Sequence, residues 1–139
     1  MKAWKVLLIV VFFVYLISPV PYCRPSIEKI NPEEAVYSKQ EILNTKMQEI
    51  TLLKVSGISM IPAIKNNSEC ICLKKENYSV GDIIFFFSNG LGISHRIVFF
   101  GDKFITKGDN NEFLDYPINK KDVICYVPLV PRYRVLFGI

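Results

Sequence analysis

Apolar positions follow three successive patterns along the chain. They run almost unbroken from Val6 to Ile17, recur at helical spacing between Val36 and Ile50, and from Thr51 onward gather in short clusters separated by turn residues. The first run stays apolar to Tyr22 and reaches the ~17 residues that are the lower limit for a spanning helix. Lys2 and Lys5 precede it, and it ends in Ser18-Pro19-Val20-Pro21-Tyr22, which offers no small-x-small cleavage signal. An uncleaved transmembrane signal anchor is therefore predicted over 1–22, with a cytoplasmic N-terminus. In the second pattern, Asn31-Pro32-Glu33-Glu34 combines a cap, a first-position proline and acids set against the positive end of a helix dipole. Val36, Ile42, Leu43, Met47 and Ile50 follow at near-helical spacing, so 23–50 is read as a linker and a juxtamembrane amphipathic helix.

The third pattern has the period of strands. Leu52–Val55, Cys70–Leu73, Ile83–Phe87, Ile97–Phe100, Lys103–Thr106 and Val123–Val127 are closed by turn signals such as Asn66-Asn67, Val80-Gly81-Asp82, Asn89-Gly90 and Gly101-Asp102. This predicts a mostly β domain over 51–131, a small antiparallel barrel or folded sheet, with a C-terminal tail over 132–139 too short to span a bilayer. Ile83–Phe87 is apolar on both faces, so it is expected to be either a central strand or one in contact with lipid.

Composition narrows the function classes. A length of 139 residues allows one domain and an appendage. The net charge of +4 arises from 17 basic against 13 acidic residues with no basic run, which gives nucleic-acid binding little support. Cys23, Cys70, Cys72 and Cys125 lack the Cys-x-x-Cys spacing of zinc or redox sites, and no metal or cofactor is expected. A bond between Cys70 and Cys72 would be strained, while either could reach Cys125; buried free thiols are the leading reading, and a disulfide to Cys125 stays open.

One stretch has the character of a nucleophile site. Val55-Ser56-Gly57-Ile58-Ser59-Met60-Ile61-Pro62 places Ser59 in a turn where Gly57 permits unusual backbone angles and Pro62 fixes φ. A serine hydroxyl is inert without a base, and His95 is the one imidazole in the chain. Lys107-Gly108-Asp109-Asn110-Asn111 follows, and then Asp115, giving two acids that could hold the second ring nitrogen.

The order Ser59, His95, Gly108-Asp109-Asn110 and Asp115, with Val80-Gly81-Asp82-Ile83-Ile84 between the first two, resembles the type I signal peptidases from about Val55 to Pro131. A histidine at position 95, where the bacterial branch has lysine, points to the archaeal and endoplasmic-reticulum branch. The resemblance implies a membrane-anchored serine endopeptidase that cleaves signal peptides from exported preproteins, outside the cytoplasmic membrane or in the lumen of the endoplasmic reticulum. Its expected partners are those preproteins, the lipid bilayer and the secretion translocon, and its expected catalytic residues are Ser59, His95, Asp115 and Asp109. Asp115 matches the usual triad acid, whereas Asp109 could equally hold its turn; Arg96 is expected to anchor a loop or pair with an acid. Two other readings stay open: a catalytically inactive anchored binding module of the same fold, and a self-cleaving regulatory serine protease with a lysine base, for which Lys107 is the candidate.

Overall fold

The computed structural model of the chain describes residues 2–26 and 50–137. Helix α1 spans Ala3–Ile17, 15 residues of which none is buried. At ~1.5 Å per residue it rises ~22 Å, less than the ~30 Å hydrocarbon thickness of a bilayer. Among the described residues, no helix is long and apolar enough to cross a membrane. The expected anchor over 1–22 is thus helical only as far as Ile17. Pro19 cannot donate to a helix and disfavours helical geometry at Ser18, so the chain turns extended there. Strand β1 (Pro19–Pro21) and strand β2 (Cys23–Pro25) follow at once. The helix expected within 31–50 lies outside the described residues except for Ile50, which opens the next strand.

Six strands read from the alternation are present: β3 (Ile50–Val55), β4 (Ser68–Leu73), β5 (Ile83–Ser88), β6 (Leu91–Phe100), β7 (Phe104–Lys107) and β8 (Val123–Val127). Strand β9 (Leu129–Pro131) pairs antiparallel with β1, and helix α2 (Arg132–Phe137) ends the described chain. In the larger sheet the order is β2-β4-β8-β5-β6-β7, with β3 on β4, and every pairing is antiparallel. The domain is therefore small, mostly β and antiparallel, as the pattern of short apolar runs implies.

Strand β5 is central. Ile83 and Phe85 enter one core with Leu53, Met60, Ile64 and Val127, while Ile84 and Phe86 enter a second with Ile97, Phe104 and Val123. A strand buried on both faces must be apolar at consecutive positions, which accounts for the Ile-Ile-Phe-Phe-Phe run without lipid. Strand β6 begins six residues earlier than the Ile97–Phe100 reading. Asn89 and Gly90 both have positive φ, 51° and 78°, and form a two-residue turn that returns the chain directly from Ser88 to Leu91. That turn fixes the register, setting His95 opposite Ile84 and Arg96 opposite Ile83.

The leading reading of free thiols is overturned, and the open alternative of a bond to Cys125 is the one that forms. Cys23 bonds to Cys70 and Cys72 to Cys125, and no cysteine among the described residues is free. Cys70 and Cys72 do share one face of β4, as their spacing requires, but each looks to a different neighbour along that edge, β2 or β8. The β4–β8 seam has one register pair, Leu73 with Tyr126, so the Cys72–Cys125 bond is its main tie. At the opposite end, Arg132 lies over the Tyr15 ring at 4.0 Å and donates from Nη1 to its hydroxyl at 3.0 Å. Its Nε donates to Ser18 Oγ at 3.2 Å, joining the start of α2 to the end of α1.

Replacing Cys72 and Cys125 together by alanine removes a cross-link between residues 53 apart. The expected loss is ~2–5 kcal/mol of unfolding free energy. Urea denaturation under non-reducing conditions measures it, and an unchanged midpoint would show that the seam does not rely on the bond.

Candidate active site

The turn after β3 owes its shape to local chemistry. Gly57 has φ +118°, which a side chain would strain, and its N–H donates to Asn66 Oδ1 at 2.8 Å. Ile61 N–H bonds to the Ile58 carbonyl at 3.2 Å and Ile64 N–H to the Met60 carbonyl at 2.8 Å, so the chain coils through Ser59. Met60 and Ile64 are the buried anchors of this coil, at 2% and 1% exposure. Ser59 is half-buried between them and solvent.

A second turn is clamped onto the first. Asn110 N–H donates to the Ser59 carbonyl at 2.8 Å, and Asn110 Nδ2 donates to the Ile58 carbonyl at 3.1 Å. The two backbones approach so closely that a Cβ on Gly108 would lie 2.7 Å from the Ser59 carbonyl oxygen. Glycine is thus required at 108 for contact, and the Gly108-Asp109-Asn110 motif acts on the Ser59 turn through its backbone. The sequence offered Asn110 as part of a motif, but not its role, because the clamp joins residues about fifty positions apart.

Strand alternation then divides the two acids between two partners. Consecutive strand residues point to opposite faces, so His95 and Arg96 cannot serve the same site. His95, 6% exposed, presents Nδ1 to Asp115 Oδ2 at 2.6 Å. Arg96 on the other face takes Asp109 in a two-pronged ion pair, Nε to Oδ1 at 2.9 Å and Nη2 to Oδ2 at 2.7 Å, and donates Nη1 to the Gly81 carbonyl at 2.9 Å. The hydrogen bonds that Arg96 donates to Asp109 raise the guanidinium above its already high ordinary pKa, with burial pulling the other way and the charge of Asp109 adding to the rise. Arg96 therefore stays charged and Asp109 stays engaged. Of the expected site residues, the structure puts Asp115 on the imidazole, and it puts Asp109 on Arg96 instead.

Ser59 and His95 line a common cleft of about 180 Å³. Its walls come from Leu53 and Val55 on β3, Met60 below the turn, and Phe85 and Ile93 on the β5–β6 hairpin. Among the described residues, β3 pairs with β4 alone, and β7 pairs with β6 only from Arg96 onward. The cleft is thus bordered by the free edge of β3 and by the free edge of β6 before Arg96. Within the Ser59 turn, Met60 lines it, whereas Ile58 is 61% exposed. Lys54 also lines it, a cation that composition alone did not single out. Lys107 Nζ donates to the Gly108 carbonyl at 3.1 Å. No group of metal-ligating side chains occurs among the described residues.

A family model described as Peptidase S24-like matches residues 16–127, a span that holds Ser59, His95, Asp109 and Asp115. No curated protein and no solved structure matches the chain.

The side chains of Arg96 and Asp109 are 26% and 20% exposed, so their pairing is only partly screened. Arg96→Ala, Asp109→Ala and the double variant, compared by urea denaturation, should yield a coupling energy of ~0.5–3 kcal/mol. Additive losses would mean that the ion pair does not hold the turn.

Proposed function

The chain belongs to the Peptidase S24-like family, a family of serine peptidases, and on that premise we propose that it is a membrane-anchored endopeptidase removing signal peptides from exported preproteins. The observation that carries this reading is the His95–Asp115 hydrogen bond at the edge of the cleft that Ser59 lines. An Nδ1–H held by a carboxylate leaves Nε2 as the basic nitrogen, the tautomer a serine nucleophile needs.

In the proposed mechanism the preprotein lies extended between the free edges of β3 and β6, its backbone pairing as an added strand and its side chains entering the small apolar cleft. Ser59 Oγ attacks the scissile carbonyl while its proton passes to His95 Nε2. The C–N bond then breaks as that proton moves to the leaving amine, and water repeats the exchange to free the acyl group and restore the hydroxyl. Asp115 fixes the ring and stabilises its cation during attack. The Ser59 N–H serves as an oxyanion donor, because the Asn110 clamp holds the neighbouring carbonyl and so the orientation of that turn. Asp109 acts only as a structural tie.

Two features support the placement outside the cytoplasm. The pair of disulfides suits an oxidising compartment, and α1 exposes apolar side chains on all sides, as an anchor embedded in a bilayer would. In this reading the domain is held by one N-terminal segment on the extracytoplasmic side, lumenal in a eukaryote, and receives preproteins from the secretion translocon. The histidine in the base position favours the archaeal and endoplasmic-reticulum branch of signal peptidases. The rival reading, self-cleavage with a lysine base, would draw on Lys54, which lies in the cleft, in preference to Lys107.

Detergent-solubilised protein incubated with a synthetic preprotein is expected to release the mature part by one cut after the signal segment. Ser59→Ala, His95→Ala and His95→Lys should be inactive, and Asp115→Asn should lose turnover on the order of the ~10⁴-fold seen when a triad acid is amidated. An intact preprotein beside a self-cleaved chain, with activity abolished by Lys54→Met, would favour the regulator. Cleavage by Ser59→Ala would remove the serine mechanism altogether.

A further inference from the structure

Thr106 stands apart from the other residues near the cleft. It is a polar side chain at 0% exposure on β7, opposite Ile97 of β6. Its hydroxyl donates to Asp115 Oδ2 at 2.7 Å, the same oxygen that meets His95 Nδ1 at 2.6 Å. Its carbonyl accepts the Asp115 N–H at 2.8 Å. Asp115 is thus gripped at both its backbone and its carboxylate by a single residue.

The chain on either side is tied at Asn110 and by the two-way backbone bridge of Ile118 with Phe104, but the residues flanking Asp115 itself are not seated. Phe113, Leu114 and Tyr116 are 80%, 60% and 90% exposed, so the side chains around the acid do not seat it in the core. A carboxylate torsion is broad and roughly two-fold, and an acid on such a segment would sample orientations away from the ring. Thr106 is the opposite kind of residue: strand-paired, buried and β-branched, with restricted χ1. Burial of a hydroxyl is unfavourable unless it is bonded, so its position in the core commits it to Asp115.

We propose that Thr106 is a positioning residue that points Asp115 Oδ2 at His95 Nδ1, extending the Ser59–His95–Asp115 arrangement by one further hydrogen bond into the core. The catalytic consequence rests on the proposed function above; the geometric one does not. The chain has a single histidine, so the Nδ1–H proton of His95 gives an unambiguous NMR signal that reports the contact whether or not any substrate is cleaved.

The test compares Thr106→Val, which keeps the shape and loses the donor, with Thr106→Ser, which keeps the donor. In Thr106→Val the low-field Nδ1–H resonance should move upfield and exchange faster with solvent, while Thr106→Ser should retain most of the wild-type signal. With a cleaved preprotein in hand, Thr106→Val should lower kcat on the order of 10–100-fold at constant KM, as a small misplacement of a catalytic group does. It should add nothing further in an Asp115→Asn background. An Nδ1–H signal unchanged in a folded Thr106→Val protein would overturn the proposal, as would equal losses in the valine and serine variants. An altered signal in a protein that cleaves no preprotein would uphold the positioning role and set aside the signal-peptidase reading alone.

Discussion

Arg96 and Asp109 meet on the face of β6 opposite His95, and their ion pair links the turn that clamps Ser59 to the strand that carries His95. Asp109 belongs to the turn whose next residue, Asn110, binds the carbonyls of Ile58 and Ser59. Arg96 follows the histidine directly in the strand. One chain of contacts therefore runs from the backbone of Ser59 through Asn110 and Asp109 to Arg96 and, across a single peptide unit, to His95. It adds a polar tie to the packing of Met60 and Ile64 against β5, the strand that pairs with β6. Lysine at 96 would not replace the arginine, since a compact ammonium cannot make the two parallel bonds and also reach Gly81.

The division of labour between the acids shows what a sequence can and cannot disclose. The Gly108-Asp109-Asn110 motif and Asp115 were visible as candidates, but their assignment depends on which face of β6 each meets. That follows from strand register, set in turn by Asn89 and Gly90, rather than from spacing along the chain. Six strands were legible because each is a short apolar run closed by a turn residue. Strands β1, β2 and β9 were not, since Pro19-Val20-Pro21, Cys23-Arg24-Pro25 and Leu129-Val130-Pro131 are three-residue pieces rich in proline. The Cys23–Cys70 bond escaped for a related reason, whereas a bond from β4 to Cys125 was within reach of the sequence reading. Cys23 lies in a segment read as linker, and its partner becomes apparent only when that segment is seen to pair along β4.

A small domain with two thin cores gains from such cross-links. Strand β5 divides its apolar surface between the two faces, so neither core is large, and the β4–β8 seam has little backbone pairing. The Cys72–Cys125 bond sits within the first core and joins the strands on either side of that seam. The bond thus reinforces the seam between β4 and β8, while Phe113, Leu114 and Tyr116 remain on the surface, in a segment tied through Asp115 and through the bridge of Ile118 with Phe104.

The other disulfide has a different consequence. Cys23 lies just beyond α1 and β1, and Cys70 lies inside the folded domain, with residues 26–50 falling between them in sequence. A protease that severed any peptide bond in that stretch would leave the N-terminal helix covalently attached to the sheet. Shedding of the domain by this route would demand two separate chemical events, a hydrolysis and a reduction, and neither alone would set it free.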